Sequence, residues 1–396
     1  MTERNTKNEK PTGRGSNQKP TFCFVMPFHI SEGRGGGSEV QSWLLARELA
    51  RQEYQVSYVA QSVRGKDGKC EEMEGVKMLW VPNAPFFRWA NAPEYFRAMS
   101  TVDADIVVQR ITSFTNGVVA LWCKLHRRRF VWVCGDDRSA TKWRFLTHQR
   151  ELSDRRKVEF VKRGILMFKA LMEDIARNWA MKQVAIAFVQ NAKQEATLRN
   201  SFNIRARRIV SGHPLPKSQF SPESRWMERV VIWVGNLGPR KAPEKFIELA
   251  QLAEPYNFRF VLIGGRDDPE YIEQLFRNRP ENLEWLGRLS LEEANEWFDR
   301  AAFFVNTSTY EGFPNTFIQA WLRGVPVLSL NVDPDKIISE NKLGAVNSDL
   351  KVLLEIMCTL SSDKELYRLL SEKIETYAKR RFSLKQMTDS FLEAVL

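Results

Sequence analysis

Five cysteines, Cys23, Cys70, Cys123, Cys134 and Cys358, stand in 396 residues, an odd number with no C-x-x-C spacing. That leaves no disulfide framework and no zinc ribbon, and it fits a reducing cytosol. Histidines are equally scarce: His29, His126, His148 and His213 lie in unrelated segments with no H-x-x-x-H, so no metal is expected. Long apolar runs are missing too. The longest candidate, Gly164 to Met172, is broken by Lys169 and falls short of the ~18 residues a membrane span needs. The polar N-terminus has no hydrophobic core of a secretion signal, so a cytoplasmic location is expected. No short internal repeat is visible.

What is present is an ordinary globular balance, 43% hydrophobic and 27% charged, which argues against general disorder. Lys and Arg number 59 against 48 Asp and Glu, a net charge of +11. The excess is uneven: residues 1–228 carry +15 and residues 229–396 carry −4. Halves with such different electrostatics suggest two domains with different partners.

Residues 1–19 hold no large aliphatic beyond Met1 and read as a disordered basic tail. Order is expected from the apolar run Thr21 to Met26, followed by a Gly-rich loop, Gly33 to Gly37, and a helical pattern from Ser38 to Gln52. Strand and helix patterns then alternate to about Val210. After the Pro/Ser-rich stretch Pro214 to Pro222, a plausible hinge, the alternation restarts at Val230–Val234. Two such series imply an α/β chain with two doubly wound parallel sheets.

The strongest local signal runs from Tyr310 to Ala320, Y-E-G-F-P-N-T-F-I-Q-A, between a strand (Phe303 to Asn306) and a helix. Loops at the carboxyl ends of parallel strands are where open sheets bind ligands, and free N–H groups near Asn315 to Phe317 suit a phosphate. A buried turn with Asn315 as helix cap is the structural alternative.

E-G-F-P-x-x-x-x-Q-A resembles the E-x7-E region of the retaining GT-B glycosyltransferases of family 4. Three further pieces resemble that family in order: Gly36-Gly37-Ser38-Glu39 with its helix, Val234 to Lys241, and Leu286-Gly287-Arg288-Leu289. The resemblance implies a GT-B fold, two Rossmann-like domains facing a cleft. It places an acceptor-side domain at 20–222, a nucleotide-sugar domain at 223–383, and a helix at 384–396 that crosses back. It also implies retention at the anomeric carbon and no metal cofactor.

Carried over residue by residue, Glu311 takes the place that lies against the donor sugar. Gln319 stands where a second Glu usually takes the ribose, and an amide can still bond a hydroxyl. Lys241, with Arg240 beside it, is placed on the diphosphate, while the family's other clamping Arg is Asn236 here. Gly36 and Gly37 let backbone approach the donor, Arg288 and Leu289 flank the base, and Gly312, Phe313, Pro314, Asn315 and Thr316 complete the donor loop.

On the acceptor side, Asp136 and Asp137 follow the strand Phe130 to Cys134. Asp136 either assists deprotonation of an acceptor hydroxyl, or one of the pair caps the next helix. Arg110 reaches the same region or forms a surface ion pair. His29 lines the first loop or is a satisfied structural histidine. The stretch Arg138 to Arg163 has nine Lys/Arg against three Asp/Glu, with Trp143, Leu146 and Phe160 interleaved. It has the profile of a surface that meets anionic lipid, with Trp143 and Leu146 expected on one helix face and Arg155, Arg156 and Lys157 supplying charge; a solvated helix packed on the core gives the same pattern. No RNA- or DNA-binding module appears. The expected activity is transfer from a nucleotide sugar to a glycan or lipid-linked acceptor, as in surface-polysaccharide synthesis. A catalytically silent sugar-nucleotide-binding or scaffold protein and a 2-epimerase are the alternatives on this fold.

Overall fold

The apolar run after residue 20 forms β1 (Phe22–Val25), all four residues buried. The computed structural model describes residues 18–32, 36–62, 65–66, 68–83, 88–155, 159–216, 220–266 and 268–396. Residues 1–17 of the expected tail, the first part of the Gly-rich loop (33–35), part of the expected hinge (217–219), and Arg156 and Lys157 lie outside them.

The strands that follow are β2 (Val56–Gln61), β3 (Cys70–Met73), β4 (Val76–Val81), β5 (Ile106–Gln109), β6 (Arg129–Val133), β7 (Ile186–Val189) and β8 (Arg207–Arg208). They form a sheet in the order β3-β4-β2-β1-β5-β6-β7-β8. β1 pairs in parallel with β2 and β5, β2 with β4 and β5 with β6, while β3 and β4 form an antiparallel hairpin. The second sheet holds β9 (Val230–Val234), β10 (Arg259–Ile263), β11 (Leu283–Trp285), β12 (Ala301–Asn306), β13 (Val327–Ser329) and β14 (Gly344–Val346). Its order, β11-β10-β9-β12-β13-β14, is parallel throughout. Both sheets are thus α/β layers of the expected kind. Strands such as β9 and β12 read as unbroken apolar runs because helices cover both faces. One core, around Val231, Phe246, Phe260 and Phe303, lies on one side of the second sheet, and another, around Ile232, Phe304, Phe317 and Trp321, on the other.

The described residues fall into two compact units. One is drawn from Met1–Gly35, Ala46–Val133 and Lys142–Ala187, the other from Gly36–Leu45, Cys134–Thr141 and Phe188–Leu396. The short segments 36–45 and 134–141 therefore pack with the later half of the chain. The terminal helix Leu384–Val395 packs on the β7 end of the first sheet, where Phe391 lies against Phe188 with ring centroids 5.5 Å apart, and the Met387 sulfur accepts the Gly212 N–H.

In the first unit, fully buried Asp174 accepts the backbone N–H groups of Phe145 and Leu146 at 3.2 and 2.9 Å. It satisfies first-turn donors of the helix Arg144–Arg155 that would otherwise lack partners. Trp143 and Leu146 do not share a helix face, because that helix begins at Arg144 and Trp143 precedes it in the left-handed region, φ 56°.

In the second unit, Gly264 follows β10 with φ +152°, and a Cβ there would lie 1.8 Å from the Gly235 carbonyl oxygen. Close approach of these two strand ends requires glycine. Gly287 also has positive φ, +69°, but faces open space. Gly264→Ala is expected to lower stability by about 3 kcal/mol through overpacking and strain, and Gly287→Ala by only about 1 kcal/mol. Thermal or denaturant unfolding of the two variants checks the contrast.

Candidate functional site

β9 and β12 are parallel neighbours, with Ile232 paired to Phe304, so the loops after them leave the same edge of the sheet. The loops are laced together by their backbones. Thr309 N–H donates to the Arg240 carbonyl at 2.9 Å, and Thr307 Oγ1 donates to the Lys241 carbonyl at 2.6 Å. Trp233 Nε1 in turn donates to Thr307 Oγ1 at 2.8 Å.

This lacing brings Glu311, Lys241 and Arg240 together. Lys241 Nζ is 2.5 Å from Glu311 Oε1, and Arg240 Nη1 is 3.0 Å from Oε2. Ser308 Oγ, buried, donates to Oε1 at 2.9 Å. The Glu311 side chain is only 11% exposed. Burial pushes its carboxyl toward the protonated form, but the charges of Lys241 and Arg240, with the Lys241 and Ser308 hydrogen bonds, outweigh that and hold its pKa below the usual carboxylate range. Asn236 stands exposed at the end of β9.

The loop continues through positions chosen by tight packing. Asn191 Nδ2 donates to the Gly312 carbonyl at 2.9 Å, and a Cβ at Gly312 would lie 2.6 Å from Gln194 Nε2. Tyr310 lies under two guanidinium groups, those of Arg138 at 4.9 Å and Arg240 at 5.7 Å. Phe313 packs on Phe382 with ring centroids 5.7 Å apart, so its ring belongs partly to the core. Pro314, buried, takes the helix N-cap position. Asn315 is therefore not the cap. It is the first residue of the seven-residue helix Asn315–Trp321, and its Nδ2 donates to the Gly37 carbonyl at 2.8 Å. Thr316 follows, half-buried.

Gly37 has no room for a side chain: a Cβ would sit 2.7 Å from Asn315 Nδ2. Gly36 N–H donates to Glu39 Oε2 at 2.9 Å, so Glu39 closes the first turn of the helix Gly37–Arg51. At the end of β11, Gly264 N–H donates to the Gly287 carbonyl, Arg288 is exposed with its stem against Gly265, and Leu289 packs partly into the core.

Gln319 is 5% exposed; its Nε2 donates to Asn295 Oδ1 at 3.0 Å, and its carbonyl accepts from Arg323. Its amide nitrogen thus faces the helix Leu291–Arg300.

The two aspartates have structural partners. Asp136 Oδ1 accepts the N–H and Oγ–H of Ser139 at 2.7 and 2.8 Å, which makes it the cap of the short 3-10 helix Asp137–Ala140. Asp137 Oδ1 accepts from Asn191 Nδ2 and Gln194 Nε2, both at 3.2 Å, and its Oδ2 is 3.1 Å from Lys193 Nζ. Of the two readings of this pair, helix capping is what Asp136 does in this geometry.

Arg110 and His29 belong to the first unit. Arg110 is buried just beyond β5. His29 is 1% exposed, with Nδ1 2.8 Å from Ser31 Oγ and the rings of Tyr58 and Trp80 edge-on. Burial, with the charge of Lys66, lowers its pKa to about 4, so it is a neutral structural histidine at neutral pH. Among the described residues no group of three or more His, Cys, Asp or Glu is arranged to hold a metal ion.

Thr307, Ser308 and Asn191 are the residues that sequence reasoning missed, and Arg138 was read only as the start of a basic stretch. Thr307 and Ser308 belong to a polar run, N-T-S-T-Y, that begins at the end of a buried strand, and Asn191 has no such signal.

Two family models match the chain. Residues 36–211 match a Glycosyl transferase 4-like domain, and residues 228–363 match Glycosyl transferases group 1. The alpha-galactosylglucosyldiacylglycerol synthase of Streptococcus pneumoniae is 25% identical over 170 residues, 41% of this chain and 44% of that protein. The match thus spans less than half the length of that relative. Among solved structures, sucrose-phosphate synthase from Thermosynechococcus elongatus has a TM-score of 0.73 at 15% identity, covering 95% of this chain and 98% of that one. Anabaena HepE in complex with UDP-glucose has a TM-score of 0.68 at 15% identity, covering 95% and 99%. These likenesses establish the two-sheet GT-B fold.

Glu311 neutralises both cations, so a diphosphate that bound Lys241 and Arg240 would have to compete with it. Glu311→Gln removes the competing charge and keeps the shape. It is expected to tighten binding of a free nucleoside diphosphate by about two- to fivefold, the ~0.5–1 kcal/mol of a partly exposed pair. Calorimetric titration checks this, and weaker binding in the variant would show that the cations serve Glu311 alone.

Proposed function

The chain belongs to the group 1 glycosyltransferases, and from that premise we propose that it moves a sugar from a nucleoside-diphosphate sugar to an acceptor carried by a membrane lipid, with retention at the anomeric carbon. The observation that carries this reading is the cluster of Lys241, Arg240 and Glu311 where β9 and β12 end side by side. Two cations there offset charge on a departing diphosphate, and a carboxylate kept ionised stands beside them to meet the sugar. Gly37, Gly264 and Gly312, each held against neighbouring atoms, keep the surrounding backbone close-packed.

The bond from the anomeric carbon to the diphosphate oxygen breaks, and the acceptor oxygen bonds to the same carbon. Retention puts the attack on the face the diphosphate leaves, so the departing phosphate oxygen is placed to take the acceptor's proton. Glu311 stabilises positive charge developing on the sugar. Gln319, through its amide, is assigned to the ribose and Arg288 with Leu289 to the base, as the family resemblance implies. Asp136 and Asp137 are assigned to the acceptor side by their place after β6, and Arg110 by its place after β5.

HepE binds UDP-glucose, and the pneumococcal relative is a diacylglycerol glycolipid synthase by name. Together with the excess of positive charge in residues 1–228, they support a nucleotide-sugar donor and a lipid-borne acceptor reached from the cytoplasmic face. No described helix is long and apolar enough to cross a membrane.

Incubation with a panel of nucleotide sugars and diacylglycerol-type acceptors, reading nucleoside diphosphate release and the product anomer by NMR, tests the proposal. The expected result is acceptor-dependent release with the donor's anomeric configuration kept. Lys241→Ala is expected to weaken nucleoside-diphosphate binding by about 1.5–3 kcal/mol, as for a lost charged hydrogen bond, and to leave free-nucleoside binding nearly unchanged. Glu311→Gln is expected to lower kcat about 100-fold or more. Donor binding with no turnover on any acceptor would identify a silent sugar-nucleotide-binding protein instead.

A further inference from the structure

The helix Phe160–Met181 in the first unit keeps a row of apolar side chains on the protein surface. Val161, Ile165, Phe168, Met172 and Ile175 recur at steps of four, three, four and three, and are 43–74% exposed. That spacing puts them on one face, while Ala170, Asp174 and Arg177 are buried on another. The helix Thr115–Leu125, which packs alongside, adds Leu121 and Leu125 at 44% and 63% exposure. Scattered exposed apolar residues are ordinary; a row of five with two beside it is a patch that calls for an occupant.

The flanks say which occupant. Lys162 and Lys169 on the same helix are exposed, as are Lys124 and Arg127 at the end of its neighbour. The two acids of the long helix, Glu173 and Asp174, are half-buried and buried. A second copy laid stripe to stripe would bring cation against cation. An anionic lipid surface instead meets the cations with phosphate and takes the apolar row into its headgroup–acyl boundary.

We propose that this face docks the protein on an anionic bilayer, with the helix Phe160–Met181 lying in the plane of the membrane. The proposal deepens, and rests on, the reading of a lipid-borne acceptor. It moves the docking element away from Trp143 and Leu146 to side chains that point outward from a 22-residue helix.

The test uses the full chain and vesicles of phosphatidylglycerol mixed with phosphatidylcholine, beside vesicles of phosphatidylcholine alone. The protein is expected to sediment with the anionic vesicles and to be released by high salt. The triple variant Ile165→Ser, Phe168→Ser, Met172→Ser changes exposed positions and no charge, so the basic N-terminal residues act equally in both proteins. It is expected to bind at least about tenfold more weakly, with an unchanged melting temperature. Lys162→Glu with Lys169→Glu is expected to mimic high salt.

Wild-type binding that the serine variant retains, or no binding to anionic vesicles at low salt, overturns the proposal. So does a dimer that the serine variant dissociates. Donor turnover, measured on the same samples, separates the two readings. Turnover without vesicle binding overturns the docking face alone. Vesicle binding without turnover supports the docking face and counts against the transfer reaction.

Discussion

A carboxylate taken out of water needs a cation, and the second unit is arranged around that need at Glu311. Stripped of Lys241 and Arg240, its charge would stand uncompensated in a site that is mostly buried. The pairing ties the loop after β9 to the loop after β12, and Thr307 and Thr309 fix the same two loops through the carbonyls of Lys241 and Arg240. Parallel adjacency of β9 and β12 is therefore what turns two residues 70 positions apart in the chain into neighbours. A diphosphate carries the charge and acceptor atoms to replace the Glu311 carboxylate on both cations. In the proposed reaction, that replacement would free the carboxylate to face the sugar.

The same logic of close approach explains the glycines. Gly37 admits Asn315, Gly312 admits Gln194, and Gly264 admits the Gly235 carbonyl. Each is a place where one loop touches another and a Cβ would push them apart. Asn191, Gln194 and Asp137 form a polar knot behind Gly312, so the segment 134–141 supports the loop that carries Glu311.

Much of this was legible in the chain. Strands buried on both faces announce themselves as apolar runs, and β9 matches its sequence bounds at Val230–Val234. The β3 hairpin strand, Cys-Glu-Glu-Met with alternating exposed residues at a sheet edge, has no such run and escaped notice, as did the half-buried, three-residue β14. The motifs that hold Glu311, Lys241 and Arg240 were visible in the sequence, and the ion pairs among these residues were not, since charge pairing depends on which strands become neighbours. Spacing alone suggested that Asn315 caps its helix, but tertiary contact with Gly37 claims its amide. The outward apolar row of the helix Phe160–Met181 was hidden for a related reason. Periodicity shows that a helix has an apolar stripe, and only packing shows whether the stripe is covered.

The most direct test of the central claim is a structure of the chain with a nucleoside diphosphate bound. The account predicts phosphate oxygens within hydrogen-bond reach of Lys241 and Arg240, with the Glu311 carboxylate withdrawn from at least one of them. A diphosphate seated elsewhere, with both ion pairs of Glu311 intact, would contradict it.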